Sequence, residues 1–356
     1  MKKSLNSVVL GGILLVLIIL IVGFMIKQPE DGNKASVDEN TNTAEAAELV
    51  VTEENEMIEE AVMEEEITEE VKYGHVKLDI DNVRFDIYRA APHNLGGFCG
   101  ETTIQMGALY YGMYFPQEYV NEVGTPNKMD LHAADVSLAM TKINMNFAKY
   151  MDDFGDNELP EDEGLYNGYD AYFEWMREQL DINQPVFVGV KRSPDKHPNW
   201  FVDHFVLLIG YSDTSFQFDS NTEEGQIKFS YDILTRNKHR GYTFKNHNNR
   251  RFAYSIIGME QTKDSIPVRL NLTEFVDKDT VALEGRIENL DDNKDYVLMR
   301  YNTIDKIEGI TEHDLDSLKA QADEVISFSP TDGQYTFEDT AERLVASMYY
   351  CIEATN

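Results

Sequence analysis

The sequence predicts an α+β domain followed by a small all-β sandwich, with a transmembrane helix at the N-terminus. Three observations predict it. An uncharged apolar run fills residues 8–26. Helix-period patterns between 99 and 181 are followed by buried-strand patterns between 184 and 260. From residue 266 onward, six short strand-like stretches alternate with polar turns. At 356 residues the chain exceeds a single compact unit. The composition shifts divide it into an anchor at 1–27, an acidic linker or stalk at 28–72, the α+β domain at 73–262 and the sandwich at 263–356.

The run "VVLGGILLVLIILIVGFMI" at 8–26 follows "MKK". At ~1.5 Å per residue it spans about 28 Å, close to the hydrocarbon thickness of a bilayer. A cleaved signal peptide has a shorter apolar core, about 7–15 residues, and small residues before the cut. "KQPEDGN" follows here instead, which favours an uncleaved anchor over a cleaved signal. Lys2 and Lys3 then keep the N-terminus cytoplasmic, and everything beyond Lys27 lies outside the cell. The expected localisation is a single-pass cell-membrane protein with extracellular C-terminal domains.

Residues 28–72 carry sixteen Asp and Glu against Lys34 and Lys72, with no aromatic residue. The first half has the composition of a disordered tether. The second, "AELVVTEENEMIEEAVMEEEITEEV", admits a helical stalk with Val51, Ile58 and Val62 on one face, or a solvated acidic linker. As a flexible tether the segment reaches roughly 37 Å root-mean-square from the membrane. The formal charge of −33 excludes nucleic acid as the expected partner, because phosphates are bound by Lys and Arg. Two cysteines cannot form a disulfide scaffold.

In the middle of the chain, "HVKLDIDNVRFDIYRAA" at 75–91 alternates like an entry strand. Gly96 and Gly97 then lead into a helix starting near Cys99, with Met106, Leu109, Tyr110 and Met113 at helical spacing. Further helices are expected at 130–142 and 168–181. "QPVFVGVKRS" at 184–193 is a buried strand after a proline boundary. "DHFVLLIGYSDTSFQFDSN" at 203–221 is a hairpin turning at Ser212–Ser215, and 251–260 adds a strand. Helices before an antiparallel sheet give the α+β order.

The chemistry centres on Cys99. A thiol attacks a carbonyl as thiolate, and a helix N-terminus lowers a thiol pKa through its unpaired N–H groups and positive dipole end. Such a nucleophile needs a base and a group that holds the base. His204 opens the apolar strand, and Asp219 ends its hairpin partner fifteen residues later, where it is expected to face His204. Asn221, two residues on, and Asp203, beside the histidine, are the competing orienters. The plain alternatives are a buried apolar Cys99 and a satisfied core His204. Gln105 is either a pocket residue or a helix-packing residue.

The glycine turn, the "CG" opening a helix, "QPVFVGV" and the "HFVLLIGY" strand with its later carboxylate together resemble the papain-like cysteine peptidases. The resemblance is closest to the bacterial branch of bacteriocin-leader (double-glycine) peptidases, and it covers roughly residues 85–260. It implies a papain-like fold and cleavage of a peptide or amide bond through a thioester, without a cofactor. Carried over residue by residue, Cys99 is the nucleophile, His204 the general base and Asp219 the orienter. One departure stands out: the family's oxyanion Gln, six positions before the nucleophile, is His93 here, with Asn94 beside it. His93 or Asn94 then completes the oxyanion site with the Cys99 N–H. Two other readings remain open, acyl or aminoacyl transfer on the same triad and a catalytically inactive surface-binding module.

"RNKHRGYTFKNHNNRR" at 236–251 is a basic island, either a site for an anionic substrate or the acidic stalk, or a solvated loop. His239 and His247 lack metal-site spacing, so no metal is expected. The six C-terminal strands, with a short helix in "TEHDLDSLKAQAD", follow the pattern of an immunoglobulin or fibronectin sandwich. Cys351, between apolar neighbours in the last of them, is expected to be structural.

Overall fold

The computed structural model describes residues 76–88, 98–125, 130–150, 168–222, 224–236, 242–244, 251, 253–259, 265–303, 306 and 315–354. The expected anchor at 8–26, the acidic segment at 28–72, His93, Asn94 and most of the basic island lie outside these residues. Among the described residues no helix is long and apolar enough to cross a membrane.

The first part of the chain gives β1 (Val76–Lys77), α1 (Cys99–Leu109), β2 (Met113–Tyr114), α2 (Gln117–Gly124), α3 (Val136–Lys142), β3 (Asn146–Tyr150) and α4 (Asp170–Asp181). There follow β4 (Val186–Val190), β5 (His204–Tyr211), β6 (Ser215–Asp219), β7 (Gln226–Ser230), α5 (Tyr231–Arg236) and β8 (Ala253–Gly258). The strands form an antiparallel sheet in the order β3-β8-β4-β5-β6-β7, with β1 paired to one end of β5. Every residue of β4, β5 and β6 is buried. The near-continuous apolar sequence of β4 and β5 therefore matches strands covered on both faces.

Two helices pack on β5, α1 and α4. In α4 the apolar residues Tyr172, Phe173, Met176 and Leu180 recur at helical spacing and are the buried ones. The rings of Tyr172 and Phe173 join Phe216, Tyr231 and Phe244 in one aromatic cluster. In α1 every residue from Gly100 to Leu109 is buried, so this helix has no solvent face. Gly107 is needed for its close approach to β8: a Cβ there would lie 2.3 Å from Ile256 Cδ1. The expected helix through Met113 ends sooner, at Leu109, because Gly112 turns the chain at φ 76° into β2.

The C-terminal part gives β9 (Val268–Phe275), β10 (Thr280–Glu288), β11 (Tyr296–Tyr301), α6 (Leu315–Gln321), β12 (Glu324–Phe328), β13 (Gln334–Glu342) and β14 (Ser347–Glu353). All six expected strands and the short helix are present. They form two antiparallel sheets, β13-β10-β9 and β12-β11-β14-β2. Alternation along β9 and β10 buries Val268, Leu270, Leu272, Val281, Leu283 and Ile287, which share a core with Leu298 and Cys351. On the other face of the second sheet, Val297, Met299 and Tyr301 pack with Leu318 of α6.

β2 belongs to the first part of the chain by sequence but to the C-terminal sheet by pairing, with Met113 opposite Met348 and Tyr114 opposite Ser347. Tyr349 N donates to Gly112 O (2.9 Å) and Ile266 N to Cys351 O (2.8 Å), closing the rest of that edge. A buried ion cluster reinforces the junction. Arg343 Nη1 binds Asp86 and Glu118, the latter at 2.6 Å, and Tyr114 Oη donates to Arg343 O at 2.7 Å. All described residues accordingly fall within one compact unit.

Candidate active site

Cys99 is the first residue of α1 and is part-exposed, whereas Gly100 onward is enclosed. Phe98 precedes it in the left-handed region at φ 63°, a strained backbone for a bulky residue. The Phe98 carbonyl accepts from both Thr102 N (2.8 Å) and Thr102 Oγ1 (2.7 Å), which pins the strained residue to the first turn. Gly100 sets how close the helix start comes to β5. A Cβ there would lie 3.1 Å from Leu131 Cβ and 3.2 Å from Phe205 Cδ2.

His204 is the first residue of β5 and is buried. Its Nε2 lies 3.0 Å from the Ser220 carbonyl oxygen. A carbonyl only accepts, so in the neutral ring Nε2 carries the proton and Nδ1 is left as the basic nitrogen. Burial pulls the imidazole pKa down to about 4, against the Ser220 hydrogen bond, which favours the charged form. The ring of Tyr242 packs edge-on at 5.9 Å, and its hydroxyl donates to Glu224 (2.6 Å). Arg192 reaches the same Glu224 at 2.5 Å.

Asn221 ties the two backbones together. It is buried, sits at φ 51°, and its Nδ2 lies 3.2 Å from Cys99 O, 2.9 Å from Phe205 O and 2.9 Å from Thr103 Oγ1. Asparagine tolerates the left-handed region better than most residues, which suits the turn between β6 and β7. One amide thus spans the start of α1 and the residue after His204. Thr103 Oγ1 donates to the same Cys99 carbonyl at 2.6 Å.

The expected contact between Asp219 and His204 is not made. Asp219 pairs with Leu207, and the ladder is irregular between Leu208 and Gly210. Directly opposed residues point to the same face and neighbours along a strand alternate, so Asp219 takes the Leu207 side and His204 the other. Asp219 Oδ1 instead accepts from Asn82 Nδ2 (2.9 Å) and Asn221 N (3.1 Å), while its buried Oδ2 has no partner among the described residues. Burial raises its pKa to about 6, held back by the Asn221 N–H. Asp203, the other competitor, accepts from Arg192 N (2.5 Å) and Ser193 N (3.0 Å) and closes the loop between β4 and β5.

The expected lowering of the thiol pKa is reversed. Burial pushes Cys99 up to about 12, and the carboxyl of Glu101 adds to the effect. Backbone hydrogen bonds from Phe205 and Gly100 pull the other way. The described residues include no hydrogen bond between the Cys99 thiol and the His204 ring. The structure thus brings the two residues onto neighbouring backbones, as a neutral thiol and a neutral imidazole.

Glu101 is the residue that sequence reasoning passed over. An acid in the first turn of a helix with no other charged residue was the available signal, since such residues favour helix N-termini. Gln105 proves to be a packing residue: its Nε2 donates to Phe115 O (2.6 Å) and its Oε1 accepts from Gln117 Nε2 (3.0 Å).

No family model and no curated protein matches this chain. Among solved structures it is similar to the peptidase domain of Streptococcus ComA, a bi-functional ABC transporter involved in a quorum-sensing pathway. That likeness has 14% identity and a TM-score of 0.31, over 50% of this chain and 98% of that domain. It is also similar to a double glycine motif protease from an AMS/PCAT transporter, solved in complex with the leader peptide. There the identity is 13% and the TM-score 0.27, over 52% of this chain and 95% of the protease.

Proposed function

We propose that this chain is a cysteine peptidase-like hydrolase that cleaves a peptide or related amide bond, with Cys99 as nucleophile and His204 as general base. The observation that carries the reading is the Asn221 side chain, which joins the Cys99 carbonyl to the Phe205 carbonyl. In this mechanism His204 Nδ1 takes the thiol proton as the sulfur attacks the carbonyl carbon, and the imidazolium then protonates the departing amine. Water hydrolyses the thioester with His204 again acting as base. Asp219 acts at one remove, by holding the Asn221 N–H and so the turn that presents the Ser220 carbonyl to His204. His93 or Asn94 supplies the second oxyanion donor beside the Cys99 N–H.

The rest of the reading concerns placement. Residues 8–26 anchor the chain in the cell membrane, and the domains at 73–262 and 263–356 face outward on the acidic segment. The C-terminal sheets are an immunoglobulin-like sandwich. Their orders β9-β10-β13 and β2-β14-β11-β12 parallel the A-B-E and G-F-C-C′ orders of that fold, with β2 standing in for strand G.

One observation favours the inactive-module reading, namely that Cys99 and His204 are both held in their neutral forms. Turnover of acyl substrates decides between them. Hydrolysis that disappears in Cys99→Ala and His204→Ala supports the hydrolase. An acyl-enzyme that resolves only when an amine is added supports the transferase, and no acyl-enzyme at all supports the binding module.

A further inference from the structure

Glu101 lies two residues after Cys99 on the first turn of α1 and is fully buried. One carboxyl oxygen, Oε1, accepts from Asn121 Nδ2 of α2 and from Leu131 N, both at 2.6 Å. The other, Oε2, is buried with no partner among the described residues. Among the described residues no cation pairs with this carboxyl. Among the described residues the titratable groups that bear on it are Asp130, from the segment before α3, which opposes its charge, and Cys99 on its own helix, whose thiolate its charge opposes. The neighbours from α2 and from Leu131 offer only neutral donors. A partnerless carboxyl oxygen in a core is costly, and packing alone gives no reason for it.

We propose that the buried Glu101 carboxyl is a positioning residue for the nucleophile: its proton controls the ionisation of the Cys99 thiol, opposing the thiolate when Glu101 is charged and releasing it when Glu101 is neutral. The inference rests on Cys99 being the reactive thiol, but it concerns the thiol itself and is readable without turnover. Burial lifts the Glu101 pKa to about 7, against the Asn121 and Leu131 hydrogen bonds, so the switch falls near neutrality. Its sign follows from charge alone. Below that pH the carboxyl is neutral, and the thiolate fraction rises tenfold per pH unit. As Glu101 ionises, the thiol pKa climbs, and the rise in thiolate stalls before it resumes. The Glu101 charge is the second cause, after burial, that raises the thiol pKa, and a shift of one unit is roughly tenfold in thiolate.

The test is the rate of Cys99 alkylation by iodoacetamide from pH 5 to 9 on the full chain, located by mass spectrometry so that Cys351 is counted separately. The wild-type profile is expected to show a shoulder near pH 7. In Glu101→Gln, which keeps an acceptor for Asn121 and Leu131, the shoulder vanishes and labelling at pH 8 is roughly tenfold faster. Asn121→Ala removes a donor that favours the charged carboxyl, so the shoulder moves to higher pH. Asp130→Asn, part-exposed, speeds labelling less than Glu101→Gln does. A shoulder that persists in Glu101→Gln overturns the proposal. If that variant fails to fold, an unmoved shoulder in Asn121→Ala overturns it as well. A thiol that follows this profile without any turnover supports the switch and refutes the hydrolase, so the two failures are distinguishable.

Discussion

Replacing Asn221 tests the tie between the start of α1, at Cys99, and the start of β5, at His204. Asn221→Ala removes a donor from Phe205 O and one of the two side-chain donors to Cys99 O, leaving Thr103 Oγ1. Taking a donor away from a buried carbonyl costs about 1–3 kcal/mol. Placing alanine at φ 51° adds about 1–2 kcal/mol, since its Cβ meets the following carbonyl in the left-handed region. Removing the buried Oδ1, which has no partner, returns part of this. The net expectation is a loss of about 3 kcal/mol, measured by urea unfolding followed by far-UV circular dichroism. Asn221→Gly relieves the backbone strain and keeps the hydrogen-bond loss, so it should fall between alanine and wild type. Turnover should drop in both variants. An Asn221→Gly protein within about 0.5 kcal/mol of wild type, with unchanged turnover, would refute the tie.

Three further outcomes follow from the same geometry. Arg343→Met leaves the buried Asp86 and Glu118 carboxylates without their cation and should cost about 3–5 kcal/mol of unfolding free energy in chemical denaturation. Gly107→Ala drives a methyl into Ile256 Cδ1 and should cost about 1–3 kcal/mol; adding Ile256→Val, which deletes that atom, should recover part of the loss. The pH dependence of stability carries two opposing contributions. Glu101 and Asp219 have pKa values raised to about 7 and about 6, so their contributions are full below the unfolded carboxylate range and are lost as pH rises through those values. His204, lowered to about 4, contributes stability that is lost as pH falls from its unfolded value toward 4. Comparing wild type with Glu101→Gln isolates the first contribution: the wild type should lose roughly 3 kcal/mol relative to the variant between pH 4 and about pH 8, and a constant difference would contradict it.

Much of the fold was legible because apolar spacing survives in it. Val186–Val190 and His204–Tyr211 read as continuous apolar runs, and the structure buries both strands completely. The alternation in Val268–Phe275 and Thr280–Glu288 likewise marks a half-buried sheet. The position of Cys99 at a helix start was also legible, from the glycine turn before it. Register was not. A ladder irregularity between Leu208 and Gly210 places Asp219 opposite Leu207, and no local sequence signal marks where such a shift falls. Partnership across the chain was equally hidden: β2 pairs with β14 more than two hundred residues later, and periodicity within a short window carries nothing about that. The electrostatics of Cys99 failed for a similar reason. A helix N-terminus does favour the thiolate, but here burial and the Glu101 carboxyl outweigh it, and burial at one atom depends on tertiary packing.

The most direct test of the account is whether an acyl group lands on Cys99 with the help of His204. The full chain is mixed with an activated acyl ester, quenched in acid over a time course, and the adduct is located by mass spectrometry. The account predicts a transient acyl adduct on Cys99 in the wild type, none in Cys99→Ala, and acylation slowed by about 10²–10⁴ in His204→Ala. An adduct absent from Cys99, or one that forms at the wild-type rate in His204→Ala, would contradict it.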